Sequence, residues 1–207
     1  MTPRLVLGLL PLVLNGSLAA QVTVQLNGGY LDRRLADGAA IERQAGVVGG
    51  AGISVSPGGV AFSVAAVAGR LRASTERTED AEYGRISGDV IMPFASWVAA
   101  SAGVVASVFV TPIGAQRWIL PRITLELRAP FTTIPVSAYF ASSAFVGPSG
   151  NVANRPQGGM SIHAGVAGRG SPLALFLEYH LERLTFETAT GRKEQRGEIQ
   201  AGLRLTP

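Results

Sequence analysis

From Gln21 onward, apolar and polar residues alternate in short runs, the period of two that sends successive side chains to opposite faces of a β-strand. In QVTVQLNGGYL, residues 21–31, Val22, Val24, Leu26 and Tyr30 share one face while Thr23, Gln25 and Asn27 share the other. The pattern recurs over 45–55, 60–71 and 83–92, and in the last of these Ile86, Val90 and Met92 oppose Arg85, Ser87 and Asp89. Residues 97–110 are the most apolar stretch and the one place where a buried helix competes. There Val98, Val104, Val108 and Val110 face away from Ser101, Gly103 and Ser107, and period and β-branching favour a strand. The cleanest alternation is 119–128, with Ile123, Leu125 and Leu127 against Arg122, Thr124, Glu126 and Arg128. Residues 134–146, 159–168, 173–186 and 197–205 complete ten predicted strands, and a slip of phase between Leu181 and Leu184 predicts a bulge.

The connections have a rhythm of their own. Those after the odd-numbered strands, such as 32–44, 72–82 and 147–158, run about 8 to 13 residues, and most are charged. Those after the even-numbered strands are about 4 to 5 residues rich in Pro, Gly and Ser, as in Ser56-Pro57-Gly58-Gly59. Long loops at one end, short turns at the other and strands with one apolar face predict an all-β, antiparallel up-and-down transmembrane barrel. A closed sheet pairs every backbone N–H and C=O without leaving an edge, which hydrocarbon requires. Ten strands fit the length, and eight fit if one weak hairpin is an excursion. Tyr30, Tyr83, Trp118, Phe145 and Phe186 fall near loop-side strand ends, and Phe62, Phe94, Trp97 and Phe131 near turn-side ends, where two interfacial girdles would lie. By phase, Trp97 and Phe145 fall on the lumen face instead.

A soluble sandwich would alternate similarly, so the first 20 residues matter. Arg4, the apolar run Leu5 to Leu14 and the small residues ending at Ala20 have the layout of a cleavable secretory leader, with an apolar core too short to span a bilayer as a helix. Arg4 is the leader's only charge, so residues 21–207 keep 17 of the 18 basic residues against 14 acidic ones. Acidic residues accompany the arginines nearly everywhere, leaving no basic stripe for nucleic acid. Arginine supplies all but one of the basic residues; it can pair bidentately with lipopolysaccharide phosphates, although codon usage accounts for the bias as well. With no cysteine and two histidines, no disulfide, no metal site and no cofactor are expected. Gly49-Gly50-Ala51-Gly52 lacks the strand-turn-helix setting of a nucleotide site.

Residues 21–207 resemble the small outer-membrane β-barrel proteins of Gram-negative-type bacteria. The most specific element is terminal: Gln200-Ala201-Gly202-Leu203-Arg204-Leu205 follows the insertion signal of such barrels through Gln200, Gly202 and Leu205, and Pro207 stands where that signal has an aromatic. The resemblance implies export to the outer membrane, the barrel assembly machinery and outer-membrane lipid and lipopolysaccharide as partners, and a monomer.

Candidate chemistry is sparse. A hairpin centred near Gly170 would set His163 opposite Glu178 and Ser161 opposite His180, all on the polar face. Lipid A deacylases, which these groups bring to mind, carry His-x-Ser facing lipid, whereas this chain reads Ser161-x-His163 facing inward. Omptin proteases need paired aspartates and an Asp-His pair, and none of Asp32, Asp37, Asp80 and Asp89 adjoins a histidine. The expected arrangement is a salt-bridged lumen of Arg85, Asp89, Arg122, Glu126, Arg128, Glu178, His180, Glu182, Glu198 and Arg204. The expected role is non-enzymatic, structural or surface-binding, with a narrow passive channel as the alternative.

Overall fold

The computed structural model describes residues 20–74, 78–151, 156–170 and 172–207. The leader therefore lies outside the described residues apart from Ala20. The strands are β1 (Gln21–Asp37), β2 (Ala40–Ser56), β3 (Ala61–Ala73), β4 (Ala81–Ala95), β5 (Val98–Thr111), β6 (Gly114–Pro130), β7 (Val136–Phe145), β8 (Ser149–Gly150), β9 (Pro156–Gly168), β10 (Leu173–Phe186) and β11 (Lys193–Leu205). Every neighbouring pair is antiparallel, and β1 pairs with both β2 and β11, so the sheet closes into a 10-strand barrel. The remaining piece, β8, is a two-residue ladder beside β6 above the point where β7 ends.

The alternation sorts side chains as the sequence predicts. Val24, Leu26, Ile53, Val64, Ile86, Ile123, Leu125, Leu175 and Leu203 are exposed on the outer face, while Arg85, Asp89, Arg122 and Glu198 point inward. Four expectations are corrected. Residues 32–37 and 40–44 are not loop but strand: the β1–β2 ladder continues to Asp37↔Ala40 around Gly38, at φ 59°. Likewise β5 and β6 pair up to Thr111↔Gly114, leaving only Pro112 and Ile113 as the tip. Both segments keep the period of two through their charged residues, so the ladder runs on past the apolar belt.

Second, β9 and β10 pair His180↔His163 and Glu182↔Ser161, two residues from the expected register, because the ladder ends at Phe176↔Ala167 and so is centred one residue later than a hairpin turning at Gly170 and its successor. Third, no phase slip occurs at Leu184. It points inward into an apolar layer, and the register shift falls at Thr185/Phe186. Fourth, the loop-side girdle is largely absent, since Tyr83, Trp118, Phe145 and Phe186 are buried inside the barrel and only Tyr30 of that set is exposed. The turn-side set, Phe62, Phe94, Trp97 and Phe131, is exposed, including Trp97, which phase had put inward.

The lumen therefore has two halves. Toward the loop side, Leu31, Leu71, Val105, Phe109, Trp118, Leu120 and Leu184 form a packed core inside the barrel, each no more than 1% exposed. Toward the turn side the interior is polar and open.

Candidate functional site

In the packed half, β1 and β11 supply two buried arginines to one carboxylate. Arg33 Nε and Nη2 donate to the two oxygens of Glu194 at 2.9 and 3.0 Å. Arg196 Nε donates to the same carboxylate at 2.7 Å, and its Nη1 lies 2.8 Å from Glu182. Arg33 also reaches Gln44 on β2 and, on the opposite side of the ring, Gln116 on β6; Arg196 reaches Ser107 on β5. Both guanidinium groups lie over the Phe109 ring, 3.8 and 4.8 Å from its centre. Burying such charges is tolerated only when they are paired, as here. The pairing is incomplete in its hydrogen bonds: among the described residues, Arg196 Nη2 and Glu182 Oε1 make none. Sequence reasoning missed Arg33, Gln44, Glu194 and Arg196 because they fell in segments read as loop. The signal was present in Arg33 and Leu35, and in Glu194, Arg196 and Glu198, each spaced by two.

Below this cluster, Arg85 Nη1 on β4 spans the lumen to Glu198 at 3.3 Å and to His180 Nδ1 at 3.2 Å. Asn27 donates to Gln200, which donates in turn to Glu198. Lower still, Arg122 holds Asp89 through Nε and Nη2 at 3.0 and 2.6 Å, and Arg128 pairs with Glu126 two residues away. Tyr139 on β7 donates to Glu178 on β10 at 2.6 Å, and His163 Nε2 lies 3.1 Å from the same carboxylate oxygen. Tyr139 crosses β9 to do so, and a Cβ at Gly165 would sit 2.6 Å from its hydroxyl, so that crossing needs a glycine. Of the ten charges expected in the lumen, Arg204 alone has no hydrogen-bond or ion-pair partner among the described residues: it lies over the Phe176 ring at 5.7 Å. These groups line a cavity of about 660 Å³ that reaches the turn-side rim at Gln21, Ser56, Ser96 and Arg169.

The reactive-looking residues come together only in part. His163, Glu178 and His180 share the cavity wall, with the two imidazole rings 5.5 Å apart. Ser161 is buried at the edge of the packed half, opposite Glu182 and Ser143. Among the described residues, no hydrogen bond joins it to either histidine, so the nucleophile-base contact that hydrolysis needs is not assembled. The four aspartates are dispersed. Asp32 holds Arg43 and Arg34, Asp37 accepts from Thr190, Asp80 lies beside Arg70, and Asp89 holds Arg122. No cluster of metal-ligating side chains occurs among the described residues. Of the terminal signal residues, Gln200 lies inside, Gly202 packs against the Phe176 ring, and Leu205 faces outward between Val24 and Leu173.

Comparison with solved structures places this architecture. The outer-membrane protease OmpT from Escherichia coli superposes with a TM-score of 0.56, covering 91% of this chain and 96% of its own, at 11% identity. The fold is that of the outer-membrane β-barrels. Neisserial surface protein A covers 91% of this chain and 99% of its own at 12% identity and a TM-score of 0.46. Ail, the attachment invasion locus protein of Yersinia pestis, covers 88% and 98% at 11% and 0.36. The likeness is one of fold. No protein-family model and no curated protein sequence matches the chain.

Proposed function

We propose that the protein is a non-enzymatic envelope barrel of the outer membrane, closed to flow through its lumen, whose working surfaces are its two ends. The observation that carries this reading is the packed half. Phe109, Trp118, Leu120 and Leu184 and the Arg33–Glu194–Arg196–Glu182 cluster fill the cross-section from wall to wall. A solute entering the turn-side cavity would have to unpack that layer to pass, which disfavours the passive-channel alternative. The buried Ser161 and the dispersed aspartates support a non-enzymatic role.

With export expected from residues 1–20, the contrast of long hairpins at one end and short turns at the other supports a turn side, with both strand ends Gln21 and Leu205, in the periplasm and the long hairpins outside. Just beyond the apolar belt the outer face turns basic. Arg34 and Arg43 are directly opposite one another and share Asp32, while Arg70, Arg72, Arg183 and Lys193 are exposed nearby. Like charges opposed on one sheet face repel, and an anionic headgroup between them relieves that repulsion. This supports lipopolysaccharide as the surrounding partner, with Gln200, Gly202 and Leu205 as the segment offered to the assembly machinery.

The test is planar-bilayer conductance of the refolded full chain. Insertion without discrete openings is expected, and regular unitary steps would replace this reading with the channel.

A further inference from the structure

We propose that the turn-side cavity is a binding site for a small oxyanion, a carboxylate or phosphate group, held at Arg204. The cavity is a blind pocket of about 660 Å³, within the range that encloses small ligands, and its closed end is the packed half rather than solvent. Its wall is cationic on balance, with Arg85, Arg122, Arg128, Arg169 and Arg204 against Asp89, Glu126 and Glu178.

Four of the five arginines are already engaged. Arg122 is held by Asp89, Arg128 by Glu126 and Arg85 by Glu198, while Arg169 donates to the backbone carbonyls of Phe131 and Ile134. Arg204 differs. It is only partly exposed, no carboxylate lies within 4 Å of it among the described residues, and its one close partner is the face of Phe176. An aromatic face stabilises a guanidinium without using its N–H donors. Those donors are fixed in the fork geometry that matches a planar carboxylate or a phosphate edge. Glu178, whose charge couples to Arg204 at a distance, is contacted by Tyr139 and His163 and leaves the Arg204 donors unused.

Around Arg204 the wall offers neutral donors. Gln25 is directly opposite it on β1, and Thr23, Ser63 and Ser87 line the same space. A half-buried cation near the turn-side mouth of a low-dielectric pocket, ringed by amide and hydroxyl groups, attracts and orients a small anion arriving from that side.

The test titrates the refolded full chain in neutral detergent with inorganic phosphate and, separately, succinate. Both are run against sodium chloride at matched ionic strength, with amide chemical shifts as the readout. The expected result is a saturable change for at least one of the two, centred on β10, β11 and β1. Phosphate alone saturating identifies a phosphate site, and succinate alone a carboxylate site. Arg204→Gln should weaken binding about tenfold or more, the loss of a charge-assisted contact, while Arg117→Gln, exposed on β6 and away from the cavity, leaves it unchanged. Ala65→Trp, which takes up part of the cavity without altering its charges, should weaken binding and serves if Arg204→Gln loses its heat-modifiable gel shift. Changes no larger than those of chloride, or saturation unaltered in the folded variants, would overturn the proposal.

Discussion

The two halves of the lumen are built by the same strands with the same alternation, yet one is a solid core and the other a water-accessible pocket. On β6 the inward residues run Trp118, Leu120, Arg122, Thr124, Glu126 and Arg128, so the change from apolar to polar comes within a single strand. On β10 the order is reversed with the chain direction, from Glu178 and His180 at the pocket to Leu184 and Phe186 in the core. Outside, the belt of Val, Ile and Leu surrounds the pocket half, and beside the packed half it gives way to Asp32 and the exposed Arg34, Arg43, Arg70 and Arg183. The difference teaches that the outer face answers to lipid along most of each strand, whereas the inner face is free to be a protein interior or a vestibule. Here it is both.

The largest break in that contrast should come from the charge shared by two buried arginines. Glu194→Gln keeps the shape but leaves Arg33 without its carboxylate and Arg196 with Glu182 alone, inside an interior where stranded charge costs about 3 to 5 kcal/mol. Urea unfolding of the barrel in lipid vesicles should register a loss of that size. A loss under about 1 kcal/mol would show that the apolar packing around Phe109 and Trp118 closes this half unaided. In the open half the same kind of deletion should matter less, because water in the pocket can replace a lost partner. Tyr139→Phe removes the hydrogen bond to Glu178 and should cost about 1 kcal/mol in the same assay, the ordinary net worth of one bond. An equal penalty for the two variants would erase the distinction between the halves.

What the sequence makes legible follows from this contrast. Period two states which side of the sheet a residue takes, and the inward set Arg85, Asp89, Arg122, Glu198 and the outward set Ile86, Ile123, Leu125 were both readable on that basis. It does not state what fills the side. Leu184 inward looks like a slip of phase if a polar lumen runs along the whole strand, and Trp118 and Phe186 look like girdle residues for the same reason. Arg33 and Glu194 were hidden differently: dense charge in 32–44 and 187–196 outweighed an alternation that in fact continued, and a salt cluster between β1 and β11 closes only once the barrel does. The register of β9 on β10 depended on where a four-residue connection turns, and composition around Gly170 and Pro172 leaves that open by two residues.

The smallest effect belongs to the outer face, where the two halves meet lipid and its headgroups. Arg34 and Arg43 are cross-strand neighbours on one side of the sheet with a single carboxylate, Asp32, between them, and both arginines are about half exposed. In neutral detergent, exposed pairs of this kind are worth only about 0 to 1 kcal/mol, and removing one of two opposed like charges relieves repulsion while giving up one weak ion pair. Arg34→Gln should therefore leave unfolding stability in neutral micelles unchanged or raised, within about 0.5 kcal/mol. In vesicles carrying anionic lipid the sign should reverse, because both arginines then face headgroup charge and the wild type holds one more contact. That reversal should fade as salt is raised, since screening acts over about 10 Å at 0.1 M. A variant equally stable relative to wild type in neutral and anionic surroundings would mean that the basic rim does not engage headgroups, and that the loop-side half is held by its packed interior alone.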